Sequence, residues 1–221
     1  MGEWIYRPSI QQDWVTLIYF FNILIISGMY YVNASRIKTF IKINFFGVYG
    51  SKFADDKNLN HFNLFNVFSF LVILNSIGLM SLWIFKKNHT SLNYAFEYYY
   101  FIFVLFTILI VRFLTVIFLM KNLNLQEKTK EYFFKSFTCN TQFSIFSSTL
   151  LLVANYSQIN SILINIILGI LFITWAISQS IIIFSFIQSN HKDFFYLIVY
   201  LCTIKIAPWF WLYFIFIEPI F

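Results

Sequence analysis

The chain has 221 residues, 60% of them hydrophobic, 23% aromatic and only 11% charged, with a formal net charge of +6. A water-soluble domain carries about a quarter charged residues to cover its surface, so this composition, with a mean hydropathy of +0.74, excludes an ordinary soluble globule. The sequence predicts an all-α, polytopic helical membrane protein, because its apolar runs reach the roughly 20 residues that carry a helix across about 30 Å of hydrocarbon.

Six spans are expected, within one integral membrane domain over residues 1–221. The first, 14–33, reads WVTLIYFFNILIISGMYYVN, enters at Asp13 and closes at a basic stretch. It is too long, and lacks the basic leader and small-residue cleavage site, for a cleavable signal peptide. The second, 62–85, ends at Lys86 and Lys87, and the third, 98–120, holds Arg112. The fourth, 138–156, reads TCNTQFSIFSSTLLLVANY. Its first half is polar enough for an interfacial or water-lined segment. The fifth, 162–187, contains Ser178 to Ser180, and the sixth, 194–217, contains Lys205 and Pro208.

Between the first two spans lies ASRIKTFIKINFFGVYGSKFADDKNLN. Ile37, Phe40 and Ile41 alternate with Arg36, Lys38 and Lys42 at spacings that suit an amphipathic helix. Such a helix is expected to lie on an anionic leaflet, each basic residue adding about 1 kcal/mol near the surface. Arg36, Lys38, Lys42 and Lys52 are thus candidates for contact with anionic lipids or for docking a partner.

Orientation follows from the basic residues, which are retained on the cytoplasmic side. One side carries Arg36, Lys38, Lys42, Lys52, Lys57, Lys121, Lys128, Lys130, Lys135 and Lys192, and the other carries Arg7, Lys86 and Lys87. Six crossings therefore put both termini outside the cytoplasm, in a periplasm-like compartment. If the fourth span does not cross, the C-terminus falls inside. The net charge is this same bias seen as a sum. The basic residues form no compact patch, so no nucleic-acid binding is expected.

Packing between spans is expected to rely on Phe and Ile interdigitation, with Ser and Asn hydrogen bonds. Glycine is scarce, at 6 residues, and no span carries the GxxxG pair that lets backbones approach closely. The abundance of Phe, Ile, Asn and Lys reads as compositional bias rather than as an aromatic cofactor pocket.

Two cations stand inside spans. Lys205 falls near the middle of the sixth, where a charge costs about 2.5–3.5 kcal/mol unless it faces protein, water or a counter-charge. Arg112 is close enough to a span end to snorkel toward phosphate. No span supplies a carboxylate, since Glu3, Asp13, Asp55, Asp56, Glu97, Glu127, Glu131, Asp193 and Glu218 all fall in loops or tails. Pro208 kinks the last helix and frees the carbonyl of Ile204, which can accept from a nearby donor. Lys205 can also be neutral, meet a partner subunit or lipid, or form an ion or substrate site.

His61, His89 and His191 are scattered through loops, and Cys139 and Cys202 are single thiols expected to be reduced and structural. These spacings suit neither haem nor a paired-metal centre. No P-loop, GxSxG or HExxH is present, and no catalytic residue, metal or cofactor is expected.

Three stretches, DWVTLIYFFNILIISGMYYVNASRIKTFIKINFF, HFNLFNVFSFLVILNSIG and FFYLIVYLCTIKIAP, together resemble an uncharacterised family of Bacteroidota inner-membrane proteins, a domain of unknown function. The likeness spans residues 12–216 and is most specific at Tyr200 to Thr203 and Pro208. The chain departs from it at Lys205, where the family is expected to carry an acidic residue. The resemblance implies a bacterial inner-membrane address and a place in envelope biology such as protein export.

Three functions are compatible with these features. A non-catalytic subunit or accessory factor of a multi-protein inner-membrane assembly is favoured by the intramembrane cations, the long basic loop and the lack of a catalytic motif. A small transporter or channel would use Lys205 and Arg112 as an anion path. An organelle-encoded respiratory-complex subunit would share the Phe-, Ile- and Asn-rich composition.

Overall fold

A computed structural model describes residues 13–41, 63–86, 98–111, 126–157 and 160–189. These residues form helices α1 (Asp13–Val32), α2 (Ala34–Ile41), α3 (Leu64–Lys86), α4 (Tyr98–Val111), α5 (Gln126–Tyr156) and α6 (Ser161–Ser189). No strand occurs among the described residues.

Three helix starts are set by asparagine. The Asn33 carboxamide oxygen accepts from the Arg36 amide at 3.2 Å, that of Asn63 from the Phe65 amide at 3.3 Å, and that of Asn160 from the Ile162 amide at 3.0 Å. Each satisfies a backbone donor that the first helical turn leaves without a partner, a contribution of about 1 kcal/mol per cap. Asn33 also separates α1 from α2, so that the chain turns back and sets Ile37 and Phe40 against Ile25 and Met29.

Helices α3 and α5 form the centre and run in the same direction. Phe65 and Phe134 flank Arg36 at one end, Ser76 meets Ser147 along the way, and Leu79 joins Leu151 towards the other end. The remaining long helices run the opposite way. α1 places Gly28 against Phe68 and Tyr19 beside Leu79. α4 packs Phe106 on Phe70 and brings Tyr98 and Ile102 so close to Gly78 that an added Cβ would lie 2.9 and 2.8 Å from them. α6 sets Trp175 and Gln179 against the first half of α5.

The six-span expectation is met only in part. Three described helices are long and apolar enough to cross a bilayer, over Trp14–Val32, Leu64–Trp83 and Ser161–Ser185, and they match the first, second and fifth expected spans. The third is helical over Tyr98–Val111, a shorter apolar helix, and the rest of 98–120 lies outside the described residues. The fourth is part of a helix that begins twelve residues earlier, at Gln126 rather than at residue 138. Its serines, threonines, asparagines and glutamine keep it below the hydropathy of a simple span. The sixth, 194–217, lies outside the described residues.

Outward faces carry the apolar side chains. Leu17, Phe20, Phe21, Ile23 and Leu24 of α1 are exposed, as are Ile162, Ile166, Ile170, Ile173 and Ile177 of α6. In a lipid solvent that arrangement costs nothing, whereas an outward backbone or amide group would find no partner.

Candidate functional site

Half of the buried polar residues among the described ones lie on α5. Ser136, Thr138, Thr141, Gln142, Ser144, Ser147 and Ser148 are all buried. Several hydroxyls bond carbonyls of their own helix: Thr138 donates to Phe134 at 2.7 Å, Thr141 to Phe137 at 2.9 Å and Ser148 to Ile145 at 3.0 Å. Others reach across helices. Ser76 and Ser147 share a hydroxyl contact of 2.7 Å between α3 and α5.

A second knot joins α5 to α6. Ser136 Oγ donates to Gln179 Oε1 at 2.8 Å, while Gln179 Nε2 donates to the Ser136 carbonyl at 3.2 Å and to Asn140 Oδ1 at 3.0 Å. Trp175 Nε1 donates to the same Asn140 oxygen at 2.9 Å. Asn140 therefore accepts twice, and Gln179 uses both ends of its amide, so the knot has a fixed geometry. Trp83 Nε1, donating to Asn165 Oδ1 at 3.0 Å, and Tyr156 Oη, donating to Thr16 Oγ1 at 2.6 Å, tie the opposite end.

Arg36 lies at the junction of α2, α3 and α5 and is 1% exposed. Its guanidinium carbon stands 3.9 Å from the Phe65 ring centroid and 5.5 Å from that of Phe134, and Nη2 donates to Asn66 Oδ1 at 3.4 Å. Phe40 stacks on Phe65 at 5.8 Å with an interplanar angle of 8°. Gln142 Nε2 donates to the Phe40 carbonyl at 3.4 Å, which fastens α2 to α5. A cation between aromatic faces gains most when it is shielded from water.

This placement corrects the expectation for the basic segment. The helix forms as its periodicity predicts, but Ile37 and Phe40 enter the protein core instead of a lipid leaflet. Arg36 goes in with them, because Phe65 and Phe134 offer π faces and Asn66 an acceptor. Lys38 is exposed. Lys42, Lys52, Arg112, Lys205 and Pro208 lie outside the described residues. Cys139 is buried.

Sequence reading did not single out Asn66, Asn140, Gln142 or Gln179. A weak signal was present. Asn66, Ser69 and Ser76 repeat at helical spacing on α3, and Ser136, Asn140, Ser144 and Ser147 do so on α5. Such stripes mark one face of a helix. The sequence does not say which helix the stripe meets.

No curated protein and no solved structure matches the chain. The model of a family described as "Domain of unknown function (DUF4271)" matches residues 15–216, nearly the whole length, and the chain belongs to that family.

Proposed function

We propose that the chain is a non-catalytic integral subunit or accessory factor of a multi-protein bacterial inner-membrane assembly, of the kind that serves protein export or envelope biogenesis in Bacteroidota. The observation that carries this reading is the way the polar interior is used. Ser136, Asn140, Trp175 and Gln179 join two helices, Ser76 and Ser147 join two more, and Arg36 and Gln142 fasten a third element to them. Each of these groups is committed to holding helices together. Such an interior suits a rigid scaffold, with the outer apolar faces left for lipid and for other membrane subunits.

In the same reading α5 is the fourth of six spans, and both termini lie on the periplasmic side. Support comes from its course beside α3. The two helices stay in contact from Phe65 to Leu79, about 21 Å of rise at 1.5 Å per residue, within a helix apolar enough to cross by itself. A polar helix held against such a span for that depth crosses with it, shielded from lipid by its neighbours. The opposed directions of α1, α4 and α6 are those that alternate crossings require.

Purification of the natively expressed protein in mild detergent, followed by mass spectrometry, tests the assignment. Stoichiometric membrane partners are expected. A clean monomer at native expression overturns it.

A further inference from the structure

The polar interior has a gap at mid-depth. Asn22 stands near the middle of α1 and is 2% exposed, yet its Oδ1 has no hydrogen-bond partner among the described residues. A buried carbonyl oxygen without a donor is destabilising in any protein. Lipid tails cannot supply one.

The register between helices identifies what surrounds it. A Cβ on Gly28 would lie 3.3 Å from the Phe68 ring, and Tyr19 packs in one cluster with Leu79. Counting residues along the antiparallel pair from Gly28–Phe68 to Tyr19–Leu79 puts Asn22 at about the level of Asn75 and Ser76. Ser76 is fully buried, with its Oγ 2.7 Å from Ser147 Oγ. Ser147 Oγ also reaches the Ser144 carbonyl at 3.2 Å, and when it donates there the proton shared between the two hydroxyls is that of Ser76. The Ser76 oxygen then keeps acceptor capacity.

We propose that one water molecule is bound at this level, donating one O–H to Asn22 Oδ1 and the other to Ser76 Oγ. Burial sets the size of the ligand. At 2% exposure, Asn22 is out of reach of a lipid headgroup or a side chain from another protein. Water is small enough, and two polar partners suffice to hold it in an interior. The water links α1 to the α3–α5 pair in the part of the membrane where a polar group has fewest alternatives.

Water-edited solid-state NMR on the full-length, isotope-labelled protein in vesicles of phosphatidylethanolamine and phosphatidylglycerol tests this directly. Polarisation is expected to pass from water to the Asn22 side-chain carbonyl and to Ser76 Cβ several-fold faster than to Val72, a buried apolar reference on α3. In Asn22→Leu, the fast transfer to Ser76 is expected to disappear. Transfer to Asn22 no faster than to Val72 overturns the proposal, and points to a rotation of Asn75 that supplies the donor. That measurement is made on the unaltered chain, so it decides the matter even if the variant fails to fold. Fast transfer to Ser76 that survives in Asn22→Leu overturns the shared water equally.

Discussion

Helices α5 and α6 are neighbours of nearly equal length, 31 and 29 residues, and they treat their side chains in opposite ways. The apolar window of α6 is only 11% buried, against 50% for that of α3. α5 carries a run of hydroxyls and amides, and most of them are inside. In water this sorting would be inverted. In lipid it follows from hydrogen-bond supply: acyl chains accept isoleucine as readily as a protein core does, but they offer nothing to a serine or an asparagine. The polar helix is therefore drawn to the centre, and the apolar helix is free to stand at the edge.

The largest break of that contrast should come at Arg36, where the interior holds a charge. Arg36→Ala removes the guanidinium from Phe65 and Phe134, takes one donor from Asn66 and opens a cavity. A loss of about 3 kcal/mol is expected from the cation–π and charged hydrogen-bond contributions together, read as a lower unfolding midpoint in detergent. Arg36→Met keeps the packing of the side-chain stem. A Met variant as stable as the parent would mean that the guanidinium itself contributes nothing there.

Gln179→Leu comes next and acts on the α5–α6 knot. It removes the acceptor of the Ser136 hydroxyl and takes one donor each from the Ser136 carbonyl and Asn140 Oδ1, an expected cost of about 1–3 kcal/mol. A double-mutant cycle with Asn140→Leu should show a coupling of about 0.6 kcal/mol, the usual size for hydrogen bonds between membrane helices. Zero coupling would detach Gln179 from Asn140 and weaken the case that α6 is held by polar contacts. At Gly78 the test is steric. Gly78→Val places branched carbon where Tyr98 and Ile102 of α4 already approach within 3 Å of a Cβ, and overpacking of this kind costs about 1–3 kcal/mol. Distance measurements between spin labels on α3 and α4 should show the two helices moving apart. An unchanged separation would mean that the side chains of α4 yield instead.

How much of this was legible in the sequence depended on whether a residue faces lipid or protein. The apolar runs behind α1, α3 and α6 could be read because length and hydropathy are local properties. The helical periodicity of Ala34 to Ile41 was local too, and the helix is there. Its environment was not legible, because the Phe65 and Phe134 rings that draw Arg36 inward belong to distant helices, and nothing near Arg36 in the sequence distinguishes a buried arginine from one at a headgroup. The same holds for α5. Its polar first half was readable as unusual, and open water was a reasonable explanation until Gln179 and Trp175 supplied partners. A stripe of serines specifies that a partner exists; only the packing of helices specifies which.

The smallest effect is expected on the outer face of α6, and its smallness is informative. Ile166, Ile170 and Ile173 are exposed, so replacing all three by Leu changes side-chain shape without changing apolar area or leaving a cavity. The isolated chain should lose no more than about 0.5 kcal/mol, the ordinary limit for surface substitutions. Its unfolding midpoint in detergent would hardly move. If that face meets only lipid, native complexes should also survive the change intact, since acyl chains adapt to either shape. If it meets a partner subunit, the same three substitutions should reduce co-purification while leaving the monomer untouched, because a packed protein interface senses the position of a single methyl group. A fall in monomer stability would show that the face is part of the chain's own core, and the opposition between α5 and α6 would then be weaker than their exposures imply.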